Sequence, residues 1–404
     1  DLHSFPTRRS SDLNLLIMVV LIVALLALLR QPNSPLNNRV TKIGNQPPTS
    51  HPTPTTNHQI EQLLATMDLD CQLEQLLIIS PGTPINPHTG NRESLRQNLA
   101  QHCFGGIIIH ANTFINKEMA KQQITDWQQH ARYPLFISVD EEGGTVSRLG
   151  KEHHLGVDSL PAMQVFGESK DYIKLKNASL TLGQQLHDLG INLNYAPVAD
   201  ILVNSQNTAI GSRSFGSDPQ TVASMTAIVV ESLQSQKVAS TLKHFPGQGA
   251  ASSDPHRQTT IIDIDEQTWR NREKLPFAAG INAGAQAVML VHGIYPHLDN
   301  KAQLAMFSSS IVSKLLREEL KFTGIVITDA LNMQAAKTAS AATIATGAIQ
   351  AGVDMLLLPS SVDEFTTALK TAIASGELSQ EQIKQSLRRI WQVKLSLDLL
   401  PQQN

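Results

Sequence analysis

Eight short runs of apolar, mostly β-branched side chains recur along the chain between residues 76 and 358. Their hydrophobicity is continuous rather than alternating, which predicts strands that are covered on both faces, as in a parallel sheet. The runs are 76–80, 106–110, 135–140, 191–198, 239–245, 287–292, 324–329 and 352–358.

Amphipathic helical patterns lie between these runs, for example at 221–236 and 309–320, and another follows at 379–397. The runs are spaced by roughly 30 to 55 residues, which leaves room for a crossover helix in each connection. Eight such units predict a closed (β/α)8 barrel, a fold of typically about 250 residues. An open, doubly wound sheet is the alternative architecture.

Three segments precede the predicted barrel domain, which covers 60–398. Residues 1–13 look like a translated sequencing adapter and are predicted to be a cloning scar. Residues 14–30 contain an uninterrupted apolar stretch, which we expect to be a signal anchor in the membrane; a cleaved signal peptide and a buried core helix are the alternatives. Residues 31–59 are rich in Pro, Asn and Thr, and this composition predicts a flexible linker.

Charge and composition exclude several classes of protein. The chain has 32 basic and 35 acidic side chains, so no electrostatic argument favours nucleic acid as a partner. Two cysteines, Cys71 and Cys103, are too few for a disulfide framework or a four-thiolate zinc site, although they could pair in an oxidising compartment. Aromatic residues make up only 4% of the chain, which disfavours a long polysaccharide groove and leaves a small pocket possible.

The predicted strands end in polar side chains. In a (β/α)8 barrel the carboxyl ends of the strands converge on one mouth, where the active site lies. A single such residue would more simply be a structural residue or a helix cap, but the repetition favours a functional site. The residues are His110, Asp140 with Glu141 and Glu142, Asp200, Lys243 with His244, His292, and Asp329.

The sequence after the fifth run suggests proton transfer. Lys243-His-Phe-Pro-Gly-Gln-Gly leads into Asp254-Pro255-His256. Residues i and i+2 of an extended segment project to the same side, so the Asp254 carboxylate could orient the His256 imidazole as a proton donor or acceptor. A solvated loop pair is the alternative interpretation.

Five motifs together resemble glycoside hydrolase family 3, in its single-domain β-N-acetylhexosaminidase branch. They are DEEGGTVSRL at 140–149, NYAPVADI at 194–201, IGSRSFGSDP at 210–219, KHFPGQG with the D-P-H loop, and FTGIVITDALNM at 322–333. The resemblance covers about 60–397. It implies a retaining glycosidase, requiring no cofactor or metal, that removes terminal non-reducing β-linked N-acetylglucosamine. The predicted export and tethering of the chain favour peptidoglycan fragments or chitin oligosaccharides as the substrates.

The resemblance also implies residue roles. Asp329 matches the catalytic nucleophile, and His256 matches the general acid/base, with Asp254 as its partner. The positions that match sugar-binding residues are Asp140, Arg148, Arg213, Lys243 and His244. Two-domain β-glucosidases of the family take their acid from an added C-terminal domain, whereas here we expect the acid to come from the barrel.

Four positions depart from the family pattern. Gln248 stands where the family usually has a second histidine, and Pro255 stands where serine is common. Thr145 stands where arginine is frequent, and Ala330 stands where a second aspartate often follows the nucleophile. None of these changes removes a named catalytic group. They leave open which substrate is preferred.

Three other functions are compatible with the same residues. One is a phosphorylase, because an imidazole acid would not repel incoming phosphate. Another is a metal-dependent barrel hydrolase that uses His110, His244, His292 and Asp329 as ligands. The third is a tethered, catalytically silent wall-binding module. For the glycosidase we expect a small carbohydrate as partner, a location outside the cytoplasm, membrane-anchored or secreted, and a monomeric protein.

Overall fold

The computed structural model describes residues 54–85, 95–110, 113–252, 259–336 and 339–401. The predicted scar at 1–13 and the predicted anchor at 14–30 lie outside these residues, as does most of the predicted linker. Within the described part of the chain, no helix combines the length and the apolar character that crossing a membrane requires.

Eight parallel strands form the centre of the fold, as predicted. They are Leu77–Ile79 (β1), Gly106–Ile108 (β2), Phe136–Val139 (β3), Leu193–Asn194 (β4), Ala239–Phe245 (β5), Ala287–Leu290 (β6), Ile325–Thr328 (β7) and Leu356–Leu357 (β8). Along the sheet their order is β7-β6-β5-β4-β3-β2-β1-β8. A parallel bridge between Ile327 and Met355 brings β8 next to β7, so the sheet forms a nearly closed (β/α)8 barrel.

Helices surround the strands and connect one strand to the next. The α-helices are Pro54–Ala65 (α1), Leu69–Glu74 (α2), Leu95–Gln101 (α3), Lys117–His130 (α4), Met163–Ser169 (α5), Tyr172–Leu189 (α6), Pro219–Ser235 (α7), Glu266–Asn271 (α8), Lys274–Asn282 (α9), Ala341–Ala351 (α10), Val362–Ala374 (α11) and Gln380–Ser396 (α12). Ser310–Glu319 is a π-helix between β6 and β7, and short 3-10 turns lie at His153–Leu155, Gly211–Arg213 and Ala305–Phe307.

Two small pairs of strands lie outside the barrel sheet. Glu141–Gly143 pairs antiparallel with Val146–Ser147 directly after β3. Thr260–Ile261 pairs in parallel with Gly293–Ile294, which follows β6. Both pairs belong to loops that leave the carboxyl ends of strands, so they shape the mouth of the barrel.

Three element boundaries differ from the sequence prediction by more than two residues. The fourth run is predicted over 191–198, but the regular strand ends at Asn194. Pro197 has no N–H to donate, so beyond Asn194 the contact with β5 is irregular and includes an isolated bridge between Val198 and Lys243. The eighth strand begins at Leu356 because Gly352 ends helix α10 with a positive φ of 104°. Helix α1 begins at Pro54, inside the predicted linker, since proline is well suited to the first turn of a helix.

Helix α12 packs beneath the barrel, where the strands begin. Its Lys394 side chain is completely buried. The ammonium donates to Gln75 Oε1 at 2.9 Å and lies 5.3 Å from the centre of the Phe136 ring and 4.8 Å from that of Trp391. Gln75 precedes β1 and Phe136 begins β3, so Lys394 joins the last helix to the amino ends of two strands.

A disulfide bond joins Cys71, in α2, to Cys103, just before β2, with their Cα atoms 4.9 Å apart. The sequence had left this pairing open. The Gln75 side-chain amide donates to the Cys103 carbonyl at 2.6 Å and to the Phe104 carbonyl at 3.1 Å. The disulfide therefore belongs to the same buried network as Lys394.

Burial without a carboxylate partner lowers the pKa of Lys394 to about 7. The pKa of a lysine in an unfolded chain is about 10.4, so between these two pKa values the unfolded chain binds the extra proton and the folded state gains stability as pH rises. We predict that Lys394→Met removes this gain. The free energy of unfolding of wild type relative to the variant should rise between pH 7 and pH 10, by at most about 1.4 kcal/mol per pH unit.

Denaturant titrations of both proteins across this pH range measure the difference. Exposed Lys176, on helix α6, provides the control substitution Lys176→Met, which should leave the pH dependence unchanged. Parallel curves for wild type and Lys394→Met would show that the buried amine does not titrate in this range.

Candidate active site

The polar strand-end residues lie at one end of the barrel, as expected for strands that all run in the same direction. His110 follows β2, Asp140 follows β3, and Asp200 lies beyond β4. Lys243 and His244 belong to β5, His292 follows β6, and Asp329 directly follows β7. Parallel pairing therefore places side chains from six strands around the carboxyl mouth.

A buried carboxylate, that of Glu142, holds two cations together. Lys243 Nζ lies 2.5 Å from Glu142 Oε1 and 2.7 Å from Asp140 Oδ1. The Arg213 guanidinium donates to both Glu142 oxygens at 2.8 Å and to the Ala209 carbonyl at 2.7 Å. Lys243 and Glu142 are almost entirely buried, so this group carries its ionic charges inside the protein.

The electrostatics of this group favour its charged forms. Burial alone would raise the pKa of Glu142, but the charges of Arg213 and Lys243 outweigh it and hold the pKa at about 2. Burial opposes the charge on Lys243, yet the neighbouring Asp140 and Glu142 carboxylates raise its pKa. The cluster therefore stays ionised at neutral pH.

A second buried carboxylate, Asp200, orients His244. Asp200 Oδ2 lies 2.7 Å from His244 Nδ1 and accepts the His244 backbone N–H at 3.1 Å. The other oxygen of Asp200 accepts the backbone N–H of Gln248 at 2.6 Å. The remaining ring nitrogen of His244, Nε2, lies 3.3 Å from Arg213 Nη2. Asp200 thus fixes both the imidazole and the chain that follows it.

Asp329 lies at the carboxyl end of β7 and is partly buried. Its Oδ1 accepts the Ala330 backbone N–H at 2.7 Å. Burial would raise its pKa, but the nearby His244, His292 and Lys243, with that hydrogen bond, hold the pKa below the ordinary aspartate value. Asp329 is therefore ionised at neutral pH, as a carboxylate nucleophile must be.

Arg148 and His110 lie near Asp140. Burial and the positive charge of Arg148 lower the pKa of His110, while Asp140 opposes this change. Among the residues that the structure describes, Arg148 Nε has no hydrogen-bond partner. The backbone around Arg148 is held by Glu141, whose carboxylate accepts the N–H groups of Arg148 and Leu149 at 2.9 and 2.7 Å.

The sequence identified most of this site, but not how it is organised. Asp140, Lys243, His244 and Arg213 form one hydrogen-bonded group, and His244 and Lys243 also act electrostatically on Asp329. Arg148 lies at the edge of the group. The predicted Asp254 and His256 lie outside the described residues.

Sequence reasoning listed Glu142 and Asp200 among the strand-end residues but assigned neither a role. The available signal was that each is an acidic residue next to the end of a buried strand. Within the described ranges, no group of three or more His, Cys, Asp and Glu side chains is arranged to hold a metal ion. The ligand set of the metal-hydrolase hypothesis is therefore not formed by these residues.

A (β/α)8 barrel with charged side chains at the carboxyl ends of its strands is the arrangement typical of enzymes with this fold. The family model described as the glycosyl hydrolase family 3 N terminal domain matches residues 60–393. This match covers most of the chain. The chain therefore belongs to glycosyl hydrolase family 3, as the sequence motifs had indicated.

Relatives with assigned names are similar over most of the barrel. Beta-hexosaminidase A of Pseudoalteromonas piscicida is 31% identical over 332 residues, which are 75% of this chain and 55% of that protein. Beta-hexosaminidase of Nitrosomonas eutropha is 32% identical over 316 residues, covering 74% of this chain and 88% of the relative. The chain thus spans about half of the first relative but most of the second.

Solved structures give the same result. A glycoside hydrolase family 3 beta-N-acetylglucosaminidase from Paenibacillus matches with a TM-score of 0.76 at 31% identity, over 82% of this chain and 63% of that one. A family 3 glycosyl hydrolase from Mycobacterium smegmatis matches with a TM-score of 0.72 at 31% identity, over 82% and 98%. A beta-glucoside phosphorylase, at 21% identity and a TM-score of 0.74, shares the fold.

The Glu142 cluster predicts an acid-sensitive contribution to stability. The pKa of the Glu142 side chain is about 2 in the folded protein and about 4.3 in the unfolded chain. Its contribution to stability is therefore complete above the unfolded pKa and is lost as pH falls toward 2. We predict that Glu142→Gln lowers the free energy of unfolding at pH 7 by about 3 kcal/mol, because Lys243 and Arg213 lose their countercharge. The difference from wild type should narrow below pH 4.5.

Denaturant unfolding at several pH values measures this difference, with exposed Glu318→Gln as the matched control. A difference below about 1 kcal/mol at pH 7, as for an exposed ion pair, would contradict the organising role of Glu142.

Proposed function

We propose that the protein is a retaining exo-β-N-acetylglucosaminidase that hydrolyses terminal, non-reducing β-linked N-acetylglucosamine from peptidoglycan fragments or chitin oligosaccharides. The names of its relatives, beta-hexosaminidase and beta-N-acetylglucosaminidase, support the sugar. The observation that carries the proposal is the position and charge of Asp329. Its carboxylate lies at the end of β7 and is ionised, because His244 and Lys243 at the mouth lower its pKa.

In the first step, the Asp329 carboxylate attacks the anomeric carbon while the glycosidic bond breaks. His256 gives its proton to the leaving oxygen, and a covalent glycosyl-aspartate remains. In the second step, His256 takes a proton from water, which attacks the same carbon and releases Asp329. Two inversions leave the sugar with its original anomeric configuration. Asp254 orients the imidazole in both steps.

The cluster around Glu142 is suited to bind the sugar. The Lys243 ammonium group forms ion pairs with Asp140 and Glu142, and the third of its N–H donors remains for a hydroxyl group of the sugar. Asp140 is partly exposed and can accept from hydroxyl groups, while His244, Arg148 and Arg213 supply further polar contacts. Because Glu142 holds Lys243 and Arg213, and Asp200 holds His244, before the substrate arrives, little reorganisation of these three groups is needed on binding.

We further propose that the enzyme acts outside the cytoplasm, tethered by the apolar segment at 14–30. The Cys71–Cys103 disulfide supports this proposal, because disulfides persist mainly in oxidising compartments. Peptidoglycan fragments and chitin oligosaccharides would be available there.

The nucleophile assignment predicts the effect of Asp329→Asn. The amide has nearly the same size but cannot form the covalent intermediate, so turnover of an aryl β-N-acetylglucosaminide should fall by about three orders of magnitude or more. Stopped assays with purified protein, accompanied by thermal unfolding curves, measure this effect. Asp171→Asn, at an exposed helix N-cap, is the matched control. Turnover above about a tenth of the wild-type value would show that Asp329 is not the nucleophile.

A further inference from the structure

The short segment that carries Asp329 leaves β7 just beyond the regular pairing of that strand with β6. The last residue pair of this ladder joins Thr328 to Leu290. The Asp329 backbone N–H still donates to the Leu290 carbonyl at 3.1 Å, and this bond fixes where the proposed nucleophile leaves the strand. The direction of the carboxylate then depends on how residues 329 and 330 are held beyond the sheet.

Ala330 holds the Asp329 carboxylate through its backbone. The Ala330 N–H donates to Asp329 Oδ1 at 2.7 Å. Because alanine has no polar side chain, only its backbone can form the hydrogen bonds that orient this segment. The N–H and the carbonyl of one residue are separated by only two rotatable bonds. A group that fixes the Ala330 carbonyl therefore also restricts the N–H that meets the carboxylate.

His292, which follows β6, is the side chain that reaches the Ala330 carbonyl. Its Nε2 lies 3.1 Å from that oxygen. A carbonyl oxygen can only accept, so Nε2 carries a proton and donates it to this hydrogen bond. The imidazole is completely buried, and it lies near enough to the Asp329 backbone and carboxylate for both to affect its pKa. His292 thus joins the loop after β6 to the residue that follows the nucleophile.

Stability alone does not account for a histidine at this position. The Ala330 carbonyl also accepts the Met333 backbone N–H at 3.1 Å, so it would stay bonded without the imidazole. The other ring nitrogen of His292, Nδ1, is buried and has no hydrogen-bond partner among the residues that the structure describes. Burial lowers the pKa of the ring, so at neutral pH Nδ1 is an unsatisfied acceptor. Such a group costs stability, and proteins retain costs of this kind mainly at functional sites.

Strand β8 holds the other side of the same segment. The Leu331 N–H donates to the Leu357 carbonyl at 2.9 Å, and the Leu357 N–H donates to the Thr328 hydroxyl at 3.0 Å. The residues before and after the Asp329–Ala330 pair are therefore tied to the sheet, and the pair itself is oriented by β6 and the His292 imidazole. An error of about 1 Å in placing a catalytic group can reduce its rate contribution by about a hundredfold, so this orientation matters for chemistry.

We infer that His292 is a positioning residue for the nucleophile: by donating to the Ala330 carbonyl, it sets the direction in which the Asp329 carboxylate faces the anomeric carbon. This inference rests on the proposed function. The imidazole neither attacks the sugar nor transfers its proton. Its loss should therefore slow the attack by Asp329 and leave the binding of sugar in the ground state nearly unchanged.

Three substitutions at this position separate the reach of the donor from the size of the side chain. In His292→Gln the amide nitrogen is as many bonds from the backbone as Nε2, so it can donate to the Ala330 carbonyl. In His292→Asn the amide nitrogen is one bond closer to the backbone and matches Nδ1 instead. His292→Leu has a side chain of comparable size without a donor. His187→Leu, at an exposed position near the end of helix α6, is the control.

The test measures the formation of the covalent glycosyl-aspartate. The probe is a 5-fluoro N-acetylglucosaminide with a dinitrophenyl leaving group, because the fluorine slows hydrolysis of the intermediate and the good leaving group keeps the first step fast enough to label the protein. Intact-mass measurements over time give the rate constant, and fragmentation identifies the labelled residue. Labelling of His292→Leu and His292→Asn should be about 10- to 100-fold slower than that of wild type, and labelling of His292→Gln should be within about fivefold.

The binding of N-acetylglucosamine, measured by calorimetry, provides a readout that general damage to the site would change. Its dissociation constant should change by less than about threefold in all three His292 variants, because the positioning acts on the attack and not on ground-state binding. His187→Leu should match wild type in both measurements.

The outcomes separate this inference from the proposed function. If the wild-type protein is not labelled on Asp329, the nucleophile assignment is wrong, and the positioning role is wrong with it. If Asp329 is labelled but His292→Leu reacts at the wild-type rate, or His292→Gln and His292→Asn react at equal rates, the nucleophile stands and the positioning role is refuted. A loss of sugar affinity as large as the loss of labelling rate would refute it as well. Should His292→Leu fail to fold, the comparison of His292→Gln with His292→Asn decides the matter.

Discussion

The buried carboxylate of Glu142 is the charge around which the barrel mouth is arranged. It receives Lys243 from β5 and Arg213 from the turn before α7, while it lies itself just beyond β3. Removing three ionised groups from water is costly, and the cost is offset only while all three stay together. The loops after β3 and β4 are therefore fixed relative to β5. Asp200 extends this order to His244 and to the chain beyond it.

The barrel itself could be predicted from the sequence because its signal is local. A run such as 324–329 is largely apolar, begins with a glycine and ends in an aspartate, and these features specify a buried parallel strand without knowledge of its neighbours. The less accurate boundaries occur where a single residue interrupts the pattern. Pro197 cannot donate to a neighbouring strand, and Gly352 serves as a helix cap rather than as the start of a strand.

The site was predicted less completely, because ion-pair partners are a tertiary property. Strand-end position placed Asp140, Lys243, His244 and Asp329 at the mouth. Nothing in the spacing indicates that Lys243 contacts a residue two positions beyond Asp140, or that Asp200 bonds both His244 and Gln248. The contacts between the loop after β4 and residues 246–251 are likewise invisible in the sequence, since they join side-chain amides to backbone carbonyls.

The central claim is that sugar is transferred to Asp329 and then to water, with retention. The most direct measurement is a proton NMR time course of an aryl β-N-acetylglucosaminide incubated with the enzyme in phosphate buffer. The account predicts that free β-N-acetylglucosamine appears first and converts to the α-anomer only by later mutarotation. Initial release of the α-anomer, or accumulation of the sugar 1-phosphate, would contradict it.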